Sequence, residues 1–225
     1  TLDKTVGSGA VDFSLRHGFS LLAKHTYLSE ERTATGAQLT GTTQRAHHFL
    51  SGLAYRAISN DYINALGKYE YKYESNSLIN PAITRSTHIG SFETIIEPKS
   101  QVELFFRYGF KVNYLSSEGI ASRSLTDLWM TNVRFEWRRQ FDVLGEYRVL
   151  YQHTANDLVH GTSLELGIIP QQSMRLALGY NFSGFDDRDF SGNNYWAHGP
   201  FLKVQLKFTE KIVAGWLNGL QSFIK

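Results

Sequence analysis

Acidic and basic side chains recur on alternate positions over long stretches of this chain, interleaved by sign. From Val102 to Tyr114, one parity carries Glu103, Phe105, Arg107, Gly109, Lys111 and Asn113. The other carries Val102, Leu104, Phe106, Tyr108, Phe110, Val112 and Tyr114 without a break. The charged parity continues in Arg134, Glu136 and Arg138, in Glu146 and Arg148 beside Asp142, and in Glu165 and Arg175. Such residues on one face can pair with opposite charges from neighbouring strands. Buried in pairs they are tolerable, whereas one left alone costs several kcal/mol. Their chemistry is therefore charge pairing or the holding of charged solutes.

Other reactive types are sparse in pattern. The eight histidines include His47, His48, His153, His160 and His198, which fall near segment ends. A rim histidine beside a serine or aspartate could form a hydrolase site, but no motif marks a nucleophilic serine, so no catalytic residue is expected. Asp186, Asp187 and Asp189 offer hard oxygen ligands of the kind calcium takes. Their spacing matches no calcium loop, and a solvated turn is the simpler reading, so no metal and no cofactor are expected. Cysteine is absent, which excludes disulfides, thiol catalysis and cysteine-ligated zinc. A net charge of +2 does not point to nucleic acid.

The elements that position these residues are strands. Successive side chains on a strand face opposite sides, so the Val102–Tyr114 run is one long strand with an oily face and a charged face. Ordinary strands average about five or six residues, while a tilted strand crossing a bilayer needs roughly nine to eleven. About ten such segments follow by parity. The first is expected over Val11–Leu28, with the alternative that Arg16-His17-Gly18 hides a turn and changes the count. Short connections near Asn60–Ile63, Pro98–Gln101, Gln140–Asp142 and Pro170–Gln172 alternate with longer polar ones near Ser29–Gln44, Asn76–Pro81, Ser116–Ser122, Thr154–Gly161 and Ser183–Gly199. That asymmetry fits a barrel with a short-turn rim and a long-loop rim. An even count places both chain ends at the short-turn, periplasmic rim. The mean hydropathy of −0.29 does not conflict with membrane insertion, because only every second barrel residue meets lipid. Aromatics make up 14% of the chain, with twelve Tyr against two Met, which suits interfacial girdles. The competing architecture is a soluble barrel or sandwich, with the apolar parity inside.

The segment from Gly199 to Phe208, with Leu202, Val204, Leu206 and Phe208 on one parity, resembles the closing strand of bacterial outer-membrane β-barrels. The resemblance implies that these four residues are the signal read by the outer-membrane assembly machinery. The preceding stretch Leu176–Phe185, followed by Asp186-Asp187-Arg188-Asp189-Phe190, is similar to the end of barrels that close large multidomain surface proteins of Gram-negative bacteria. Seventeen residues follow Phe208, where the family pattern ends on the aromatic. Among them Trp216, Leu217, Leu220 and Phe223 recur at helical spacing, which predicts a short amphipathic helix that meets the membrane surface or an envelope protein partner.

The resulting expectation is an all-β, antiparallel up-and-down transmembrane β-barrel over residues 1–208, with a C-terminal amphipathic helix over 209–225 on the periplasmic side. Its place is the bacterial outer membrane, among outer-membrane lipids. Glu103, Arg107, Lys111, Arg134, Glu136, Arg138, Glu146, Arg148 and Arg175 are expected to face the lumen and largely fill it with ion pairs. The function expected is an anchor or scaffold for a larger envelope or surface assembly. A small porin or channel with slight anion preference is the alternative.

Overall fold

The structure, a computed structural model, describes residues 2–32, 42–56, 62–77, 81–138, 140–171, 173–184 and 198–207. These form eleven strands: β1 (Leu2–Ser14), β2 (Phe19–Arg32), β3 (Thr42–Arg56), β4 (Ile63–Asn76), β5 (Ile83–Lys99), β6 (Val102–Ser117), β7 (Ile120–Glu136), β8 (Phe141–Gln152), β9 (Asp157–Gln171), β10 (Met174–Asn181) and β11 (Gly199–Leu206). Each pairs antiparallel with its neighbour in sequence, giving one sheet in the order β1 to β11. The architecture is the up-and-down membrane-barrel type that the alternation indicates. β2 to β9 are 12 to 17 residues long, beyond the roughly nine to eleven that a tilted crossing requires.

The count is eleven rather than ten because the expected first strand is a hairpin. Its turn is a single 3-10 turn, Arg16–Gly18, in which His17 and Gly18 take φ of 62° and 85°. Leu15 then donates its N–H to the Phe19 carbonyl at 2.7 Å, and Phe13 faces Leu21 across the pair. An odd count moves the ends apart. Leu2 pairs with Arg32 at the rim that carries the 33–41 connection, while Leu206 ends at the opposite rim, beside Met174. Both ends at one rim, as an even count implies, is therefore not the arrangement. Among the described residues β1 and β11 do not pair with each other.

The rim asymmetry is narrower than the sequence suggests. One rim carries the connections 15–18, 57–62, 100–101, 137–140 and 172–173, and the other carries 33–41, 77–82, 118–119, 153–156 and 182–198. The expected long connections around Ser116–Ser122 and Thr154–Gly161 are tight turns. Glu118 and Gly119, at φ of 51° and 78°, make a two-residue hairpin, the left-handed pair that matches strand twist. Only 33–41 and 182–198 are long. Phe208, Asp186, Asp187, Asp189 and the whole expected helix, with Trp216, Leu217, Leu220 and Phe223, lie outside the described residues.

Candidate functional site

Which side of the rolled sheet is wet decides everything else about this chain. Along β9, Glu165 is 4% exposed while its neighbours Leu164 and Leu166 are 43% and 57% exposed. Along β7, Leu128 and Met130 are buried, and Trp129, Val133 and Phe135 are exposed. Alternation along the β10 ladder is the same: Arg175, Ala177 and Asn181 are buried, Leu178 and Tyr180 exposed. The charged parity thus occupies the concave side and the oily parity the convex side. A single flat sheet could not bury Leu128 to 1%; the strands must curl around a polar interior. A soluble barrel has the reverse polarity, and a membrane barrel has this one. The exposed belt carries Trp129 within β7 and Trp137 just past its end, aromatics of the kind enriched at membrane interfaces.

The interior has two halves. Across β8 to β11 it is sealed by an ion cluster built on Arg175. The guanidinium donates two bonds to Asp142, Nε to Oδ2 and Nη2 to Oδ1, both at 2.7 Å. Nη1 donates to Glu165 at 2.8 Å and to Gln205 at 3.2 Å, and Lys203 donates to the other Glu165 oxygen at 2.9 Å. Arg134 approaches Asp142 at 4.0 Å and Glu103 at 3.7 Å. The fork geometry of arginine suits this bidentate role. Gly167 makes room for it. A Cβ there would fall on the Asp142 carboxylate and reach 2.8 Å from its Cγ and 2.9 Å from Arg175 Nε. Toward the other rim, Arg148 and Glu146 pair at 2.6 Å. Leu128, Met130, Leu144 and Ala177 pack beside these groups as buried hydrophobics, so this half is closed by apolar side chains as well as ion pairs.

The other half is open. A cavity of about 570 Å³ at the 77–82 and 118–119 end is lined by Lys72, Glu74, Arg85, Lys111, Asn113 and Ser124, among others. A smaller one of about 180 Å³ continues inward past Lys68, Glu70, Glu93 and Arg107, sharing Lys72 and Ile89 with the first. In the smaller cavity Lys72 sits 3.0 Å from Glu70, and Glu93 is flanked by Arg107 at 3.2 Å and Lys68 at 3.7 Å. The larger cavity sets three cations against one carboxylate.

The sequence-derived lumen set divides accordingly. Arg107 and Lys111 line the open half, and Arg175, Arg148 and Glu146 hold the sealed half. Glu103 and Arg134 bridge β6 and β7, while Glu136 ends β7. Arg138 is the exception. It sits in the β7–β8 turn at φ 82°, exposed, and lines an outer groove instead of the lumen. Leu202, Val204 and Leu206 stand exposed on one face of β11. Asp127 and the polar Thr87–Asn113 bond at 2.8 Å carry no signal in the sequence pattern. Asp142, on the charged parity with Glu146 and Arg148, is buried at the centre of the Arg175 cluster.

Two histidines meet carboxylates, His153 at the 153–156 turn and His48 within β3. His153 Nε2 bonds Asp127 at 2.6 Å, and His48 pairs with Glu70. His160 instead bonds the Tyr147 hydroxyl at 2.8 Å. Among the described residues no serine or threonine hydroxyl bonds His153; the adjacent Thr154 donates to the Arg123 carbonyl. A nucleophile–base–carboxylate arrangement is not assembled there.

No family model and no curated relative matches the chain. Among solved structures it is similar to "KdgM porin in complex with disordered oligogalacturonate". That likeness has 11% identity and a TM-score of 0.39, over 93% of this chain and 95% of that one. A likeness this distant assigns no family.

Proposed function

We propose that this chain is a bacterial outer-membrane barrel that passes small hydrophilic solutes, with a mild preference for anions, along the groove lined by β4 to β7. The observation that carries the reading is the open, cation-rich cavity on the concave face, which shares Lys72 and Ile89 with the smaller one beside it. The apolar convex face sits in lipid, and the backbone groups between paired strands satisfy each other as hydrocarbon demands.

In planar bilayers the protein is expected to conduct, with a reversal potential on the anion side. Arg85→Glu combined with Lys111→Glu replaces two of the three cavity cations by carboxylates and moves the reversal potential to the cation side. An unchanged reversal potential in that variant overturns the groove as the path.

A second reading is an anchor for a larger envelope assembly, and the sealed β8–β11 half favours it. It predicts a nearly silent bilayer trace. On this reading Leu202, Val204 and Leu206 serve the assembly machinery, and the segment after residue 207 contacts an envelope partner.

A further inference from the structure

Outside the lumen, the convex face carries a groove of about 620 Å³ at the end of the apolar belt beside the 137–140 turn. Its walls are Trp137, Phe141, Val143, Leu166, Ile168 and Leu178. A volume in the ~300–1,000 Å³ range is that of a ligand site, yet these walls are oily. The mouth is not. Trp137 donates its N–H to the Phe141 carbonyl at 2.9 Å, and Phe141 returns one to Arg138 at 3.3 Å. Between these bonds Arg138 takes a φ of 82° and stands exposed beside the groove. The one carboxylate at the groove, Asp142, is 2% exposed and engaged by both bonds from Arg175, so it neither neutralises Arg138 nor repels an anion there.

We infer that this groove holds one anionic phospholipid, with an acyl chain along the Leu166–Ile168–Leu178 wall and its phosphate against Arg138. Charge and position argue for that occupant. The groove lies at the end of the exposed belt of β7 to β10, and among the described residues lining it the one charge without a carboxylate partner is a cation beside the girdle residue Trp137, where headgroups begin. An apolar segment of a protein partner would fill the walls but leave the arginine without a counter-charge. The inference rests on the membrane reading above.

The test is native mass spectrometry of the full chain released from mixed vesicles of phosphatidylglycerol and phosphatidylcholine, after flotation confirms that each variant partitions with the vesicles. The expected result is one retained phosphatidylglycerol per chain. Arg138→Gln should lower its retention about fivefold, the effect of one cation near an anionic surface. Leu178→Trp, which fills the groove, should abolish retention of either lipid. Arg123→Gln, a cation stacked on Tyr114 at the other rim, should retain it as the unmodified chain does. Equal retention of the two lipids, or full retention in Arg138→Gln, overturns the inference while leaving the membrane reading intact. A chain that fails to float with vesicles overturns the membrane reading and the lipid site together.

Discussion

Arg175→Met is expected to lower the unfolding free energy by about 3–5 kcal/mol, the range for removing one partner from a buried ion pair. The size follows from what the substitution strands. Asp142 is 2% exposed and Glu165 4%, and Arg175 supplies three of the charge-assisted bonds that keep these carboxylates satisfied. Lys203 still reaches Glu165 at 2.9 Å, whereas among the described residues the cation left near Asp142 is Arg134, at 4.0 Å. Arg175→Lys should recover part of the loss, since an ammonium can meet one carboxylate but cannot fork across Asp142 and reach Glu165 together. Urea titration of the chain refolded into vesicles measures both. A loss below about 1 kcal/mol, the surface-pair range, would mean that water reaches the cluster and that this half of the interior is not sealed.

The second large effect belongs to the opposite face. Val133 lies midway between Trp129 and Trp137 on β7 and is exposed. Val133→Arg should cost about 2–4 kcal/mol, the penalty for a cation on the lipid face near the bilayer midplane. Ser91→Arg puts the same charge on the concave side, where Ser91 and Glu93 line one cavity, and should cost far less. In a soluble protein the ranking inverts, because Val133 would then face water. Vesicle unfolding titrations of the two variants give the comparison.

Strand identity and face were legible because period-two alternation is a direct imprint of a face that meets one solvent and a face that meets another. β6, expected over Val102–Tyr114, runs Val102–Ser117, and β5 runs Ile83–Lys99 against an expected end at Glu97. The β1–β2 turn was hidden for a definite reason. Phe13 pairs with Leu21 and Val11 with Ala23, so odd-numbered residues point outward both before and after it. Parity passes unchanged because Ser14 pairs with Ser20, leaving five residues between them, whereas the two-residue turn after Ser117 reverses it, Ser117 facing Ile120. Turn length at Glu118-Gly119 was misjudged because Ser116, Ser117 and Ser122 look like loop residues, yet they belong to the ladder. Polar residues near a barrel rim suit strand and loop equally well.

Apart from Arg138, the charged lumen set is legible in the parity, but its division into sealed and open halves is not. That division depends on register. Arg175 reaches Asp142 across β9 because Asp142 pairs with Gly167 and Ala177 pairs with Gly167 in turn, and because Gly167 has no side chain to block the bond. Arg138 left the lumen for a related reason. Its left-handed backbone breaks the strand after Glu136, and alternation carries no information past a break. Asp127 was overlooked because it is a lone carboxylate on the oily parity, satisfied by Tyr108 at 3.1 Å and His153 at 2.6 Å.

The account stands on the oily parity facing lipid and the charged parity facing water. Because the natural chain has no cysteine, single cysteines can be placed along β9 and β10 at positions 163 to 166 and 176 to 179 and spin-labelled in vesicles. Collision with oxygen, which concentrates in hydrocarbon, should peak at 164, 166, 176 and 178, and collision with a water-soluble nickel chelate should be higher at 163, 165, 177 and 179. The opposite phase, or two profiles without alternation, would contradict it.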